Sequence, residues 1–195
     1  MKNIVIHRAA RPLNVDGDLS KAPWDHAVWY GDFTVLGNPS RTAESGTSFA
    51  MAHDGETIVV LQPLQDHKRR FDGDLGPNTG GMGAYTPVPA MDDAMLARVH
   101  REVLEPVAKG MVRDGMPYQG LLYVGLMLTE AGPSVVEFNC RFGDPECQPL
   151  MIAMQSDLLP LLMATARGEL AGSAAPRFHR GSALCVVLVS RGYPG

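Results

Sequence analysis

The sequence predicts an α+β fold, a mainly antiparallel sheet with helices packed on one face. Two pairs of short β-prone runs, within residues 49–62 and 121–140, are each joined by turn chemistry. Two stretches with helical spacing, 91–114 and 156–168, follow these pairs instead of alternating with single strands. No Gly-x-Gly-x-x-Gly follows a strand, so a dinucleotide-binding parallel sheet is not indicated.

Residues 3 to 6 read as a short strand. Pro12, Asp16-Gly17-Asp18 and Pro23 then supply turns before the aromatic stretch Trp24 to Phe33. The first hairpin pairs Phe49–Ala52 with Thr57–Gln62 across Asp54-Gly55, because glycine tolerates the positive φ of a tight turn. Glycine and proline cluster in Gly73 to Pro89, which reads as a functional loop. In 91–114, Met95, Val99, Val103, Val107 and Met111 recur every four residues along one helical stripe. Asp92 and Asp93 sit at the positive end, and Pro106 bends or splits the helix. The second hairpin joins Leu121–Leu128 to Ser134–Cys140. Ser156 is the expected cap of a helix carrying Leu158, Leu159, Leu161, Leu162 and Met163, with Pro160 tolerated in its first turn and a stop near Gly168. Ala183 to Ser190 closes the chain as an apolar strand.

The 195 residues are 45% hydrophobic, enough for one substantial core. A net charge of −4 argues against nucleic acid or an anionic membrane as a partner, since both demand a basic face. Cys140, Cys147 and Cys185 have no metal-ligand spacing, and free thiols in a reducing compartment are expected. The N-terminus lacks the apolar run of a signal peptide, and no window is long enough to span a membrane, so the expected location is cytoplasmic.

Two constellations could carry chemistry. On a strand through 135–140, a period of two puts Glu137 and Asn139 on one face and Val136, Phe138 and Cys140 on the other. A carboxylate and an amide oxygen side by side are hard ligands of the kind Mg²⁺ takes together with water and phosphate. The same pattern is also that of a half-buried strand with a solvated polar face. Arg141, Asp144 and Glu146 follow on the next turn, where Arg141 could neutralise phosphate charge; a salt-bridged surface loop is the alternative. The second constellation is the charged run Gln65 to Arg70 followed by the glycine-rich Gly76 to Tyr85, whose backbone N–H groups could form an anion-binding nest. Here a solvated basic run is the alternative, and His67 reads as a surface residue.

Gln65-Asp66-His67-Lys68-Arg69, Gly76-Pro77-Asn78-Thr79-Gly80-Gly81-Met82-Gly83-Ala84-Tyr85 and Glu137-Phe138-Asn139-Cys140-Arg141-Phe142-Gly143-Asp144-Pro145-Glu146 resemble, in order and spacing, the signature segments of phosphoribosylamine–glycine ligases. Gly125-Leu126-Met127 and the closing Val189 to Gly195 fit as well. The resemblance runs from about residue 44 and implies the C-terminal subdomain of an ATP-grasp fold over 44–180, with 181–195 as the start of a truncated C-terminal domain. It implies an ADP-forming ligation in which the carboxylate of glycine attacks the γ-phosphate of ATP and the amine of phosphoribosylamine captures the acyl phosphate. Glu137 and Asn139 would then hold Mg²⁺ or Mn²⁺ with ATP, Arg141 would stabilise the transferring phosphoryl group, and Asp144 would orient the site. Asp66, Lys68, Asn78, Thr79, Gly80 and Gly81 would face glycine and the ribose phosphate. In the family, further ATP-holding residues precede this segment. Their absence before residue 44 implies weak nucleotide binding, an inactive fragment and an apolar surface open to self-association.

Residues Arg11 to Trp24 resemble the opening of family-nine-like carbohydrate-binding modules, so 1–43 is expected to be a β-rich segment and the chain a possible chimera with a junction between 42 and 60. Trp24, Trp29 and Tyr30 could stack on a sugar or form that segment's core. A non-catalytic chimera and a sugar-binding module are therefore the alternatives to a ligase fragment.

Overall fold

The computed structural model describes residues 46–194 together with two short strands, β1 (Thr34–Val35) and β2 (Asn38–Thr42). The chain divides into two units, Met1–Phe33 and Thr34–Gly195, and the second contains all of these residues. The expected strand at 3–6 and the aromatic stretch lie outside the described residues. Strands β1 and β2 pair with each other, antiparallel.

The main sheet contains β3 (Gly46–Asp54), β4 (Ile58–Val60), β5 (Leu64–Phe71), β6 (Leu75–Thr86), β7 (Gln119–Thr129), β8 (Gly132–Asn139) and β9 (Ala183–Val186). Its order is β8-β7-β3-β5-β6-β9, with β4 beside β3, and every pairing is antiparallel. Both expected hairpins are present. In the first, Gly55 has φ +97° and Asp54 closes the turn, its Oδ1 accepting from the N–H groups of Glu56 and Thr57 at 3.1 and 2.7 Å. The carboxylate's other oxygen accepts from the N–H of Leu170 at 2.8 Å, tying this turn to the segment after the last helix.

The run expected to be a glycine-rich loop is strand β6, the partner of β5 in a third hairpin that turns at Asp72-Gly73-Asp74. Glycine disfavours a strand intrinsically, and tertiary packing reverses that preference here. A Cβ at Gly83 would lie 2.8 Å from the carbonyl oxygen of Cys185, so only glycine lets β9 approach this closely.

The helical stretch 91–114 forms as α1 (Asp93–Val99) and α2 (Glu105–Arg113), joined by a π-helical turn over His100–Leu104. Asp92 caps α1, accepting from the N–H of Met95 at 2.8 Å. Pro106, which has no N–H to donate, falls in the first turn of α2 just after the wide turn. Two further helices are α3 (Cys147–Ala153), which the sequence did not signal, and α4 (Leu158–Arg167), which ends at Gly168 with φ +72°. The cap of α4 is Asp157, accepting from the N–H of Leu159 at 2.9 Å, in place of the expected Ser156. The Ser156 hydroxyl accepts instead from the N–H of Arg177 at 2.8 Å, which pins the strand-like return of the chain.

Helices cover both faces of the sheet, which corrects the expectation of one. Met51, Leu122, Val124 and Leu126 face Val99, Val103 and Leu104 of the α1–α2 arm. Ala50, Ala52 and Leu64 face Leu150 of α3, Leu161 of α4 and Leu170. The central strands β3 and β7 are apolar at successive positions, so both of their faces need burial. Cys140, Cys147 and Cys185 are free, and among the described residues no helix is long and apolar enough to cross a membrane.

Candidate functional site

The site lies on the sheet face that α3 and α4 cover only in part. Cross-strand partners share a face. Pairing of Gly46 with Asp66, Ser48 with Gly125, Gly125 with Glu137 and Tyr123 with Asn139 therefore brings Asp66, Tyr123, Glu137 and Asn139 to one side. A bulge contributes. The register shifts so that Gly125 opposes Glu137 while Leu126 opposes Val135, leaving Val136 as the extra residue. Val135 packs on the α1–α2 core although Glu137, two residues on, faces the site. Strict alternation fails at this one step. The expected apolar face of the strand is not buried either, since Val136 and Phe138 are both 39% exposed at the sheet's edge.

Asp66 is 2% exposed, and the Nζ of Lys68 lies 3.2 Å from its Oδ2. That oxygen accepts no well-aligned hydrogen bond, so the contact is an ion pair held by charge. Burial pushes the Lys68 pKa down, but the carboxylates of Asp66, Glu137 and Glu146 outweigh it and hold the ammonium above its usual range. Lys68 stays 41% exposed, a fixed cation with its head in reach of solvent. Glu146, only 4% exposed, accepts from the Tyr123 hydroxyl at 2.7 Å. Burial first, and then the neighbouring Asp66, raise its pKa despite that bond. The Tyr123 hydroxyl is raised as well, by burial and by Glu146. Glu146 and Tyr123 were not among the expected site residues. Glu146 is in the motif, but no sequence pattern marks Tyr123, whose partner is brought to it by a turn 23 residues on.

The other expected residues fall into two groups. Gly81 is buried at close range to the 141–146 turn, where a Cβ would meet Pro145 Cδ at 2.3 Å and the carbonyl oxygen of Asp144 at 3.2 Å. Thr79 braces the same stretch, its hydroxyl donating to the carbonyl of Lys68 at 2.9 Å and accepting from the N–H of Gly81 at 3.0 Å. Gly80 donates to the Tyr193 hydroxyl at 3.4 Å. Asn78 is exposed, opposite Arg69 on the hairpin. Arg141 and Asp144 are exposed; Arg141 donates to the carbonyl of Phe142 at 2.8 Å, and Asp144 accepts from the Gln148 amide at 2.9 Å. Two of the three motif segments thus meet at Gly81 and the 144–145 turn, and the third is the Asp66–Lys68 pair whose field Glu137 and Glu146 shape.

Glu137 and Asn139 offer one carboxylate and one amide oxygen from adjacent positions of a strand face. Among the described residues no cluster of three or more His, Cys, Asp or Glu side chains is placed to hold a metal. A two-oxygen set suits Mg²⁺, which keeps several waters and phosphate oxygens in its shell.

The family model described as phosphoribosylglycinamide synthetase, ATP-grasp (A) domain, matches residues 42–147. The chain is 52% identical over 151 residues to a phosphoribosylamine–glycine ligase of Caulobacter vibrioides, covering 77% of this chain and 35% of that protein. It is 53% identical over 148 residues to that of Agrobacterium fabrum, covering 76% and 35%. Among solved structures it is similar to phosphoribosylamine–glycine ligase from Thermotoga maritima, with a TM-score of 0.63 and 35% identity over 76% of this chain and 37% of that one. Likeness to the urea amidolyase of K. lactis, with a TM-score of 0.52 and 16% identity over 72% and 8% of the two chains, concerns the fold alone. The chain spans 35% of the length of these two curated relatives. Together with the antiparallel sheet, the match shows that this chain belongs to the phosphoribosylglycinamide synthetase ATP-grasp (A) domain family.

Proposed function

We propose that the chain carries the metal and substrate side of an ADP-forming C–N ligase that joins glycine to 5-phosphoribosylamine in purine synthesis. The observation that carries this reading is the placement of Asp66–Lys68, Gly81 and the Glu137–Glu146 segment around one sheet face. The names of the relatives support the substrates.

In this reading Glu137 and Asn139 hold Mg²⁺ or Mn²⁺, which when bound neutralises phosphate charge on the nucleotide. Arg141 donates to the phosphoryl group as it leaves ADP for the glycine carboxylate, and Asp144 orients the turn that presents it. Lys68, fixed by Asp66, presents its ammonium to the carboxylate or to the ribose phosphate, with Asn78–Gly81 alongside. The amine of phosphoribosylamine then attacks the acyl carbon and inorganic phosphate leaves. Catalysis of this kind is positioning and charge stabilisation, with little proton transfer asked of the protein.

Calorimetric titration with Mg–ADP tests the assignment. Binding in the millimolar range, abolished by EDTA and by Glu137→Ala, is the expected result; binding that survives both changes would falsify the metal assignment. Turnover with glycine, phosphoribosylamine and ATP is expected to stay at background for this chain alone, because these groups form one side of the nucleotide site.

A further inference from the structure

The 141–146 turn carries Arg141 and Asp144, the two residues proposed to serve the reacting phosphoryl group, yet neither is buried, and among the described residues the side chain of each bonds within its own turn or to the next helix. Something else must set where they stand. Three observations identify it. The Tyr123 hydroxyl of β7 donates to Glu146 Oε1 at 2.7 Å in a fully buried bond that ties this turn to β7. A Cβ on Gly143 would fall 2.5 Å from Glu146 Oε2 and 2.7 Å from the Tyr123 ring, so the turn packs against the ring with no space for a side chain between them. On its other side, Pro145 and the Asp144 carbonyl close on Gly81.

We propose that Tyr123 and Glu146 are positioning residues: their buried hydrogen bond docks the 141–146 turn onto β7 and fixes Arg141 and Asp144 relative to Lys68 and Gly81. A phenol suits this task. Its ring supplies a flat, rigid platform, and its hydroxyl supplies one directional bond that a phenylalanine would lack. Glu146 then leads directly into α3, where the N–H of Leu150 bonds the Glu146 carbonyl at 3.2 Å, so docking of the turn and of the helix are one event. The proposal rests on the phosphoryl-transfer reading for its functional meaning, while its geometry can be tested without any ligand.

The test is an amide ¹H–¹⁵N comparison of the ligand-free chain and its Tyr123→Phe variant, paired with Mg–ADP titration. In Tyr123→Phe the amides of Gly81, Arg141 and Asp144 are expected to shift or broaden while those of α1 and α2 stay in place, and the dissociation constant for Mg–ADP is expected to rise about fivefold to tenfold. Glu146→Gln, whose amide oxygen can accept the same hydroxyl, should retain the wild-type amide pattern where Glu146→Ala does not. In an Arg141→Ala background, Tyr123→Phe should weaken binding no further, since its effect passes through the turn. Turn amides that stay unmoved in Tyr123→Phe, or changes spread equally through α1 and α2, would overturn the proposal. If the wild-type chain binds no Mg–ADP, the ligase reading fails, and the amide pattern still decides the positioning role.

Discussion

Replacing Gly81 by alanine probes the contact on which the candidate site depends. The residue sits at φ +144°, a conformation that L side chains rarely adopt, and holding alanine there costs about 1–3 kcal/mol. Its Cβ would lie 2.3 Å from Pro145 Cδ, so either β6 or the 144–145 turn must retreat, at a further cost of about 1–3 kcal/mol for overpacking. The neighbour is a ring of the main-chain turn and not the free end of a long side chain, which leaves little scope for cheap relief. The sum, about 2–6 kcal/mol, corresponds to a fall in melting temperature of at least about 4 °C for a unit of this size. Gly110→Ala is the matched control. It lies in α2 with nothing within 4 Å of the added Cβ, and there the better helix former should stabilise by about 0.5–1 kcal/mol. Differential scanning calorimetry of the two variants beside the wild type reads both signs. A Gly81→Ala variant that melts within about 1 °C of the wild type would refute the close packing of strand and turn.

The raised pKa of Glu146 sets a sign for the pH dependence of stability. Between the ordinary carboxyl value of about 4.5 and the higher folded-state value, the unfolded chain releases this proton before the folded protein does, so the stabilisation present in acid is lost as pH rises through that window. Urea titrations across that window should show a shallower loss in Glu146→Gln than in the wild type, and identical slopes would count against a buried, protonatable Glu146. At the start of α4, Asp157→Ala should cost about 1 kcal/mol of stability through loss of the cap, read as a lower urea midpoint. Ser156→Ala, by contrast, should leave α4 intact and release the N–H of Arg177, seen as faster amide exchange at that residue.

Local chemistry made part of this protein legible. Asp54-Gly55 marked its hairpin because few residues accept the backbone of that turn, and the four-residue spacing from Met95 to Met111 marked the helical arm because that period admits one buried stripe. Pro106 correctly signalled a disturbance in the helix, and the π-helical turn before it is the form the disturbance takes. The glycine-rich stretch reads as a loop in sequence because a strand rich in glycine has no local signature. Its extended form comes from β5 on one side and, on the other, from β9 near the far end of the chain. Ser156 and Asp157 are both good caps by residue type, and only the position of Arg177 decides between them.

The sequence by itself determined the antiparallel α+β class, the β3–β4 and β7–β8 hairpins and the identity of the motif residues, since these depend on side-chain type, spacing and turn propensity. The period of two also put Glu137 and Asn139 together, but only tertiary structure decided which of the remaining residues join them on that face. A single bulge at Val136 turns Glu137 toward the site while Val135 enters the core, and the Tyr123–Glu146 bond joins residues that no periodicity connects. The physical reason is that register, bulges and buried hydrogen bonds are settled by competition among strands and helices for the same surfaces, and that competition involves the whole sheet at once.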